Sequence, residues 1–168
     1  MIILFIAILF LAFLLCPNGI ELLGVSNAAP WHCFTYPFMH ISWLHLCINA
    51  LALILMYNPI RDIYCARYDK SHTHFFLAVY SCAVLAGVCC ASDVPTVGAS
   101  GLVFTLLGIL LPLNPTLRQL RNYIWVVLAV IIQAFLGKSN VPLHICAFLF
   151  GALIIVFLNA REQIRIKE

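Results

Sequence analysis

The sequence predicts an all-α membrane protein: a bundle of six transmembrane helices with both termini in the cytoplasm. Of its 168 residues, 64% are hydrophobic and only 9% are charged, whereas a soluble domain carries about 25% charged residues. Its apolar stretches suffice for six spans, each of which needs about 20 residues. Its lysine and arginine residues concentrate in the loops that six spans would place on one side of the membrane.

Composition also limits the domain organisation and the class of function. Six spans use about 120 residues, so we expect a single transmembrane domain over residues 1–168 and no attached soluble domain. The high hydrophobic content excludes a disordered chain. The net charge of +3 is too small, and the basic residues are too scattered, for a surface that binds nucleic acid.

Charges and turn-forming residues bound the individual spans. The first span ends before Pro17, the second stops at Asn58 and Pro59, and the fourth begins near Ser100 after a loop-like segment at residues 94–98. The first span resembles the apolar core of a signal peptide, but no lysine or arginine precedes it, so we expect it to be retained. The predicted spans cover residues 2–16, 38–57, 72–91, 100–112, 122–137 and 142–159.

The positive charges predict the orientation of these spans. With six spans, eight of the nine lysine and arginine residues lie on one side of the membrane, and only Lys138 lies on the other. Because positive residues concentrate in cytoplasmic loops, we expect both termini to be cytoplasmic. The eight residues are Arg61, Arg67, Lys70, Arg118, Arg121, Arg161, Arg165 and Lys167.

The eight cysteines do not predict a disulfide framework. Most of them lie within apolar stretches or at their ends, and no CxxC pair is present. Cysteine in such places commonly serves as a small hydrophobic residue. Cys33 is the only cysteine expected to face the oxidising side, so we expect no internal disulfide.

Five polar residues lie within or at the start of predicted spans, where such groups are costly and often functional. His40, His45 and Asn49 lie in the first half of the second span, Ser100 opens the fourth, and His144 opens the sixth. Because all three spans begin on the outer side, these residues are predicted to share one layer just below the outer surface. This shared depth favours a functional site over scattered polar positions.

Ser100 stands among small residues that permit two interpretations. Small residues are common where membrane helices pack, so Gly98, Ala99 and Gly101 are compatible with packing alone. Alternatively, Gly98 permits a tight turn into a helix that begins at Ser100. The free N–H groups of such a helix terminus can stabilise an oxyanion.

His144 is predicted to be either a histidine that bridges helices or a general base. Ala147 and Gly151 follow it at i+3 and i+7 on the same helix face, and Gly101 is equally small. These residues would let two helices approach until the imidazole reaches Ser100 and can accept its proton. The later spans hold no aspartate or glutamate, so this interpretation predicts a serine–histidine dyad.

Three further residues could complete such a site. Phe104 shares a helix face with Ser100, where it would either fill space or stack on the imidazole. His45 and Asn49 form an i, i+4 pair that would serve either as a link between helices or as oxyanion donors.

Three motifs together resemble the rhomboid family of intramembrane serine proteases. Their order and spacing fit the six-helix bacterial-type core of that family over essentially the whole chain. The motifs are His40-x4-His45-x3-Asn49 preceded by Trp31, Gly98-Ala99-Ser100-Gly101 followed by Phe104, and His144-x2-Ala147-x3-Gly151.

The resemblance implies a role for each motif. Ser100 corresponds to the nucleophile and His144 to the general base, while His45, Asn49 and the backbone N–H of Ser100 correspond to the oxyanion hole. His40 corresponds to a histidine that supports the loop between the first two spans. The remaining motif residues are expected to support the site: Gly98, Gly101, Phe104, Ala147, Gly151 and Trp31.

The chain departs from the family pattern at three positions. His32 replaces the usual arginine after Trp31, so the first loop is expected to be anchored differently. Ala147 replaces a glycine, which would slightly widen the contact between the fourth and sixth helices. Phe104 stands where some relatives have tyrosine, so it can stack but offers no hydroxyl.

The resemblance therefore implies a serine endopeptidase that cleaves transmembrane segments without a cofactor or metal. It would be a multi-pass protein of the bacterial inner membrane, with its active site open to the extracytoplasmic side, and its partners would be membrane-protein substrates and the bilayer. A catalytically silent relative that only binds membrane helices is one alternative. A bundle that binds haem or metal through His40, His45 and His144 is another, although it leaves Ser100 and its glycines unexplained.

Overall fold

The computed structural model describes residues 1–113, 124 and 140–165. Over these residues the chain is helical and forms no β-strand, as the sequence predicts. The elements are α1 (Ile2–Leu15), α2 (Gly19–Leu23), two 3-10 helices (Pro30–Phe34 and Tyr36–Phe38), α3 (Trp43–Tyr68), α4 (His72–Cys89), α5 (Ser100–Leu110) and α6 (Val141–Arg165).

Three of the described helices, α3, α4 and α6, are long and apolar enough to cross a membrane. The apolar helices α1 and α5 are shorter, with 14 and 11 residues. The predicted fifth span at residues 122–137 lies outside the described residues except for Ile124. Four basic residues that contribute to the predicted orientation also lie outside the described residues: Arg118, Arg121, Lys138 and Lys167.

The bounds of α3 differ from the predicted 38–57 at both ends. Its start is displaced because Ser42 caps the helix, with the Ser42 hydroxyl accepting a hydrogen bond from the His45 backbone N–H at 3.2 Å. Its end is displaced because the helix continues through Pro59. Proline removes one backbone hydrogen bond, but Ile60, Tyr64 and Tyr68 are buried on one face beyond it and hold the helix in place.

Helix α5 occupies the centre of the bundle, packed by α3, α4 and α6. Nine of its residues are buried, including both glycines. A helix that is apolar on every side is stable only where other helices surround it. The start of α5 is therefore a position shielded from solvent and lipid.

The segment between α1 and α3 covers the end of the bundle at which α5 begins. Val25 exchanges two backbone hydrogen bonds with Thr96, at 3.0 and 2.9 Å. The Gly98 N–H donates to the carbonyl oxygen of Tyr36 at 2.9 Å. These bonds tie the first loop to the segment that leads into Ser100.

Candidate active site

The first residue of α5, Ser100, meets the first turns of α6 at His144. The Ser100 Oγ lies 2.8 Å from Nε2 of His144. Both side chains are 8% exposed, so their hydrogen bond is shielded from competing solvent. A serine oxygen in contact with an imidazole nitrogen is the geometry that proton transfer requires.

Asn140 positions the helix that carries His144. Its Oδ1 accepts a hydrogen bond from the Leu143 N–H at 3.1 Å, which caps the start of α6. Its Nδ2 donates to the Cys90 carbonyl oxygen at 2.8 Å and to the Thr96 hydroxyl at 3.1 Å. The sequence prediction missed Asn140, although asparagine ahead of a proline is a usual helix-start signal.

The plane of the His144 ring is set by Phe104. The two rings are stacked, with centroids 4.3 Å apart and planes inclined by 12°. Among the described residues, Nδ1 of His144 has no hydrogen-bond partner. Among the described residues, the orientation of the His144 ring is therefore fixed by stacking and not by a hydrogen bond at Nδ1.

Gly98 lets two side chains of α3 approach the start of α5. Its φ of +120° favours glycine, and a Cβ there would lie 2.8 Å from Nε2 of His45 and 3.5 Å from Nδ2 of Asn49. His45 and Asn49 thus lie beside the backbone that leads into Ser100.

The amide of Asn49 is fully buried. Neither its nitrogen nor its oxygen has a hydrogen-bond partner among the described residues. An unpaired buried amide costs free energy. The Asn49 amide is therefore a buried polar group that no described residue satisfies.

His40 contacts the loop before Ser100. Its Nε2 accepts a hydrogen bond from the backbone N–H of Ala99 at 3.3 Å, and its ring centroid lies 5.0 Å from that of His45. The family resemblance predicts that His40 supports the first loop, whereas this bond joins it to the Ser100 segment.

Trp31 and His32 lie in the first loop, away from the reacting pair. Trp31 is 64% exposed. The Nδ1 of His32 donates a hydrogen bond to the Gly24 carbonyl oxygen at 3.2 Å. This bond is the anchor that His32 provides at the position where the family usually has arginine.

Tyr36 is a buried residue of the first loop that the sequence prediction missed. Its hydroxyl donates to the Ala83 carbonyl oxygen at 2.8 Å. A Cβ on Gly101 would lie 2.4 Å from the same hydroxyl. Gly101 therefore makes room for Tyr36.

Gly108 and Gly151 let the backbones of α5 and α6 approach closely. A Cβ on Gly108 would lie 2.0 Å from the Phe148 carbonyl oxygen, and one on Gly151 would lie 2.3 Å from that of Thr105. Ala147 is fully buried, in a cluster that includes Val84 and Ala86 of α4. A Cβ on Gly101 would also lie 3.5 Å from the Leu143 side chain of α6, whereas Gly108, seven residues later on the helix, was missed by the sequence prediction.

In the described part of the chain, no three histidine, cysteine, aspartate or glutamate side chains are grouped to hold a metal ion.

The fold and the site define a class: a helical membrane protein with a buried serine–histidine pair at one end of its bundle. The family model for the Rhomboid domain matches residues 27–161, and the chain therefore belongs to the rhomboid family. No curated protein matches the sequence.

Proposed function

We propose that this rhomboid protein is an intramembrane serine endopeptidase that cleaves transmembrane segments through a Ser100–His144 dyad. The observation that carries the proposal is the 2.8 Å contact between Ser100 Oγ and His144 Nε2. A serine hydroxyl is a weak nucleophile until a base accepts its proton. The proposal assigns His144 as that base.

In the first step, His144 Nε2 accepts the Ser100 proton while Oγ attacks the scissile carbonyl carbon. The carbonyl oxygen gains a negative charge at the N-terminus of α5, where the Ser100 backbone N–H, Asn49 and His45 serve as donors. The unpaired Asn49 amide supports this assignment, because its donor is not engaged elsewhere among the described residues.

In the second step, the tetrahedral intermediate collapses and the peptide C–N bond breaks. The His144 imidazolium donates its proton to the leaving amine, and an acyl ester remains on Ser100. His144 then accepts a proton from water, and the resulting hydroxide equivalent attacks the ester carbon. Release of the carboxylic acid returns the proton to Ser100.

The family also includes catalytically silent members that bind membrane helices. Two observations favour the enzyme for this chain: both reactive groups are present, and they are hydrogen-bonded to each other. A protein that only binds helices has no need for a serine and an imidazole in this geometry.

The proposal includes six spans with cytoplasmic termini in a bacterial inner membrane. The site residues lie at one end of the bundle, whereas Arg61 and Arg67 lie at the far end of α3, which favours an extracytoplasmic site. In a variant whose native cysteines are replaced by serine, a membrane-impermeant maleimide should label Ala28→Cys in intact cells. It should label Glu168→Cys, outside the described residues, only after the cells are opened. Labelling of Glu168→Cys from outside contradicts the topology.

The activity is tested with purified protein, a fluorescent serine-directed phosphonate and a reporter with one transmembrane segment. The phosphonate should form a covalent bond to Ser100, and wild-type protein should cleave the reporter. Ser100→Ala should lose both signals, whereas Ser81→Ala, a change at an exposed serine of α4, should lose neither. Reporter binding without labelling or cleavage would support the silent-binder alternative instead.

A further inference from the structure

Two cysteines meet between α4 and α6, outside the groups that the proposed chemistry uses. Cys90 follows the last residue of α4 and Cys146 lies in α6, 56 positions later. Their Sγ atoms are 3.2 Å apart. Both thiols are free and partly buried.

The backbone near both cysteines is already held together. Asn140 donates to the Cys90 carbonyl oxygen and caps the start of α6, two turns of chain before Cys146. A disulfide has an S–S bond of about 2.05 Å, so the two sulfur atoms need to approach by roughly 1 Å. We expect a small side-chain rotation to supply this movement without separating the helices.

The neighbouring cysteine does not share this placement. Cys89 is exposed, whereas Cys90 is partly buried toward α6. Cys89 therefore provides a control with the same chemistry at the adjacent position but without the contact to Cys146.

We propose that Cys90 and Cys146 form a reversible disulfide that joins α4 to α6 beside the candidate dyad. The oxidant is a disulfide compound, R–S–S–R, that reacts by thiol–disulfide exchange. One cysteine thiolate attacks it and releases one RS⁻, which takes up that cysteine's proton. The second thiolate then attacks the mixed disulfide, and its proton passes to the second RS⁻. The products are one Cys90–Cys146 disulfide and two RSH.

The proposal departs from the expectation of no internal disulfide, which placed only Cys33 on the oxidising side. Its formation in the cell rests on the proposed extracytoplasmic placement of this end of the bundle, because disulfides persist in oxidising compartments. The reaction in purified protein does not depend on that orientation.

The disulfide would hold the start of α6 against the end of α4. Cross-linking two distant positions restricts the unfolded chain and so favours the folded state. For a chain of this size we expect the melting temperature to rise on the order of 5–10 °C. Cys146 lies two positions after His144, but its thiol takes no part in the hydrogen bond between Ser100 and His144. Phosphonate labelling of Ser100 should therefore be retained after oxidation.

The experiment treats full-length protein in detergent with oxidised glutathione, then alkylates free thiols and maps the peptides by mass spectrometry. Wild type and Cys89→Ser should each yield a Cys90–Cys146 cross-linked peptide and the higher melting temperature, and dithiothreitol should reverse both. Cys90→Ser and Cys146→Ser should yield neither. Ser100→Ala should form the cross-link normally, which separates this proposal from the proposed protease activity.

Three results would overturn the proposal. One is that Cys90 and Cys146 are alkylated as completely after the oxidation step as before it. Another is a cross-link between two chains in place of the internal one. The third is a rise in melting temperature that persists in Cys146→Ser.

Discussion

The imidazole of His144 lies flat against the phenyl ring of Phe104, with ring centroids 4.3 Å apart. Because Phe104 is one helical turn after Ser100, the same helix supplies both the proposed nucleophile and the ring that orients its base. Any rotation of the imidazole out of this stack would move Nε2 away from Ser100. The stacking contact is therefore a determinant of the dyad geometry.

Replacing Phe104 should test this orienting contact. Phe104→Leu removes the ring and should lower turnover about tenfold to 100-fold, because misplacement of a reacting group is costly. Phe104→Tyr keeps the ring and should retain most activity. Phe150→Leu, a change at another half-buried phenylalanine, provides the control. Steady-state cleavage of the reporter measures all three, and equal turnover in Phe104→Leu and wild type would contradict the assignment.

The two dyad residues should behave as one unit. Ser100→Ala and His144→Ala should each lower cleavage by a factor on the order of 10⁴ or more, and the double variant should be no slower than either single variant. Ser100→Ala removes one hydrogen bond, so the free energy of unfolding should fall by only about 1 kcal/mol. Activity of Ser100→Ala close to wild type would exclude the serine mechanism.

The oxyanion assignment predicts a separation between turnover and stability. Asn49→Ala should lower turnover more than apparent substrate affinity, because its amide acts on the charge that develops in the transition state. The loss should be smaller than the roughly 2.7–4 kcal/mol seen for one donor in a soluble serine protease, since His45 and the Ser100 N–H remain. His40→Ala should lower both turnover and melting temperature, because His40 holds the Ala99 backbone.

The outcome against the Asn49 assignment is also measurable. If Asn49→Ala melts at a much lower temperature while its folded fraction turns over normally, Asn49 links helices and does not act on the oxyanion. His45 and the Ser100 backbone would then be the remaining donors.

The contact between α5 and α6 should tolerate no added side chain at Gly151. Gly151→Val would place a Cβ in steric conflict with the Thr105 carbonyl oxygen, so the helices must separate. We expect a loss of about 1–3 kcal/mol of stability and weaker phosphonate labelling, since His144 moves with α6. Ala160→Val, at an exposed position of the same helix, should change neither. Thermal unfolding and labelling measure the two effects.

The proposed substrate is a membrane-spanning helix whose outer end unwinds easily. A folded helix engages its carbonyl groups in internal hydrogen bonds, so attack on the scissile bond requires local unwinding. Replacing glycine or proline near the cut of a cleaved substrate with leucine should therefore slow cleavage. Unchanged cleavage rates across such a series would show that unwinding does not limit the reaction.

The membrane class and the candidate site residues follow from the sequence alone. Long apolar stretches can be buried only in a bilayer, and polar residues within them carry a cost that function explains. Ser100, His144 and Phe104 could therefore be identified from residue type and spacing, and the Rhomboid domain match over residues 27–161 agrees with the family that their motifs resemble.

The contacts that hold the site together depended on the tertiary structure. Pro59 predicts a helix end, yet burial of side chains beyond it continues α3. Three further features join segments that are distant in the chain: the position of Gly108 against α6, the hydrogen bonds of Asn140 and the Cys90–Cys146 contact. Local sequence patterns report how a residue relates to its own helix, whereas packing between helices decides which residues of different helices meet.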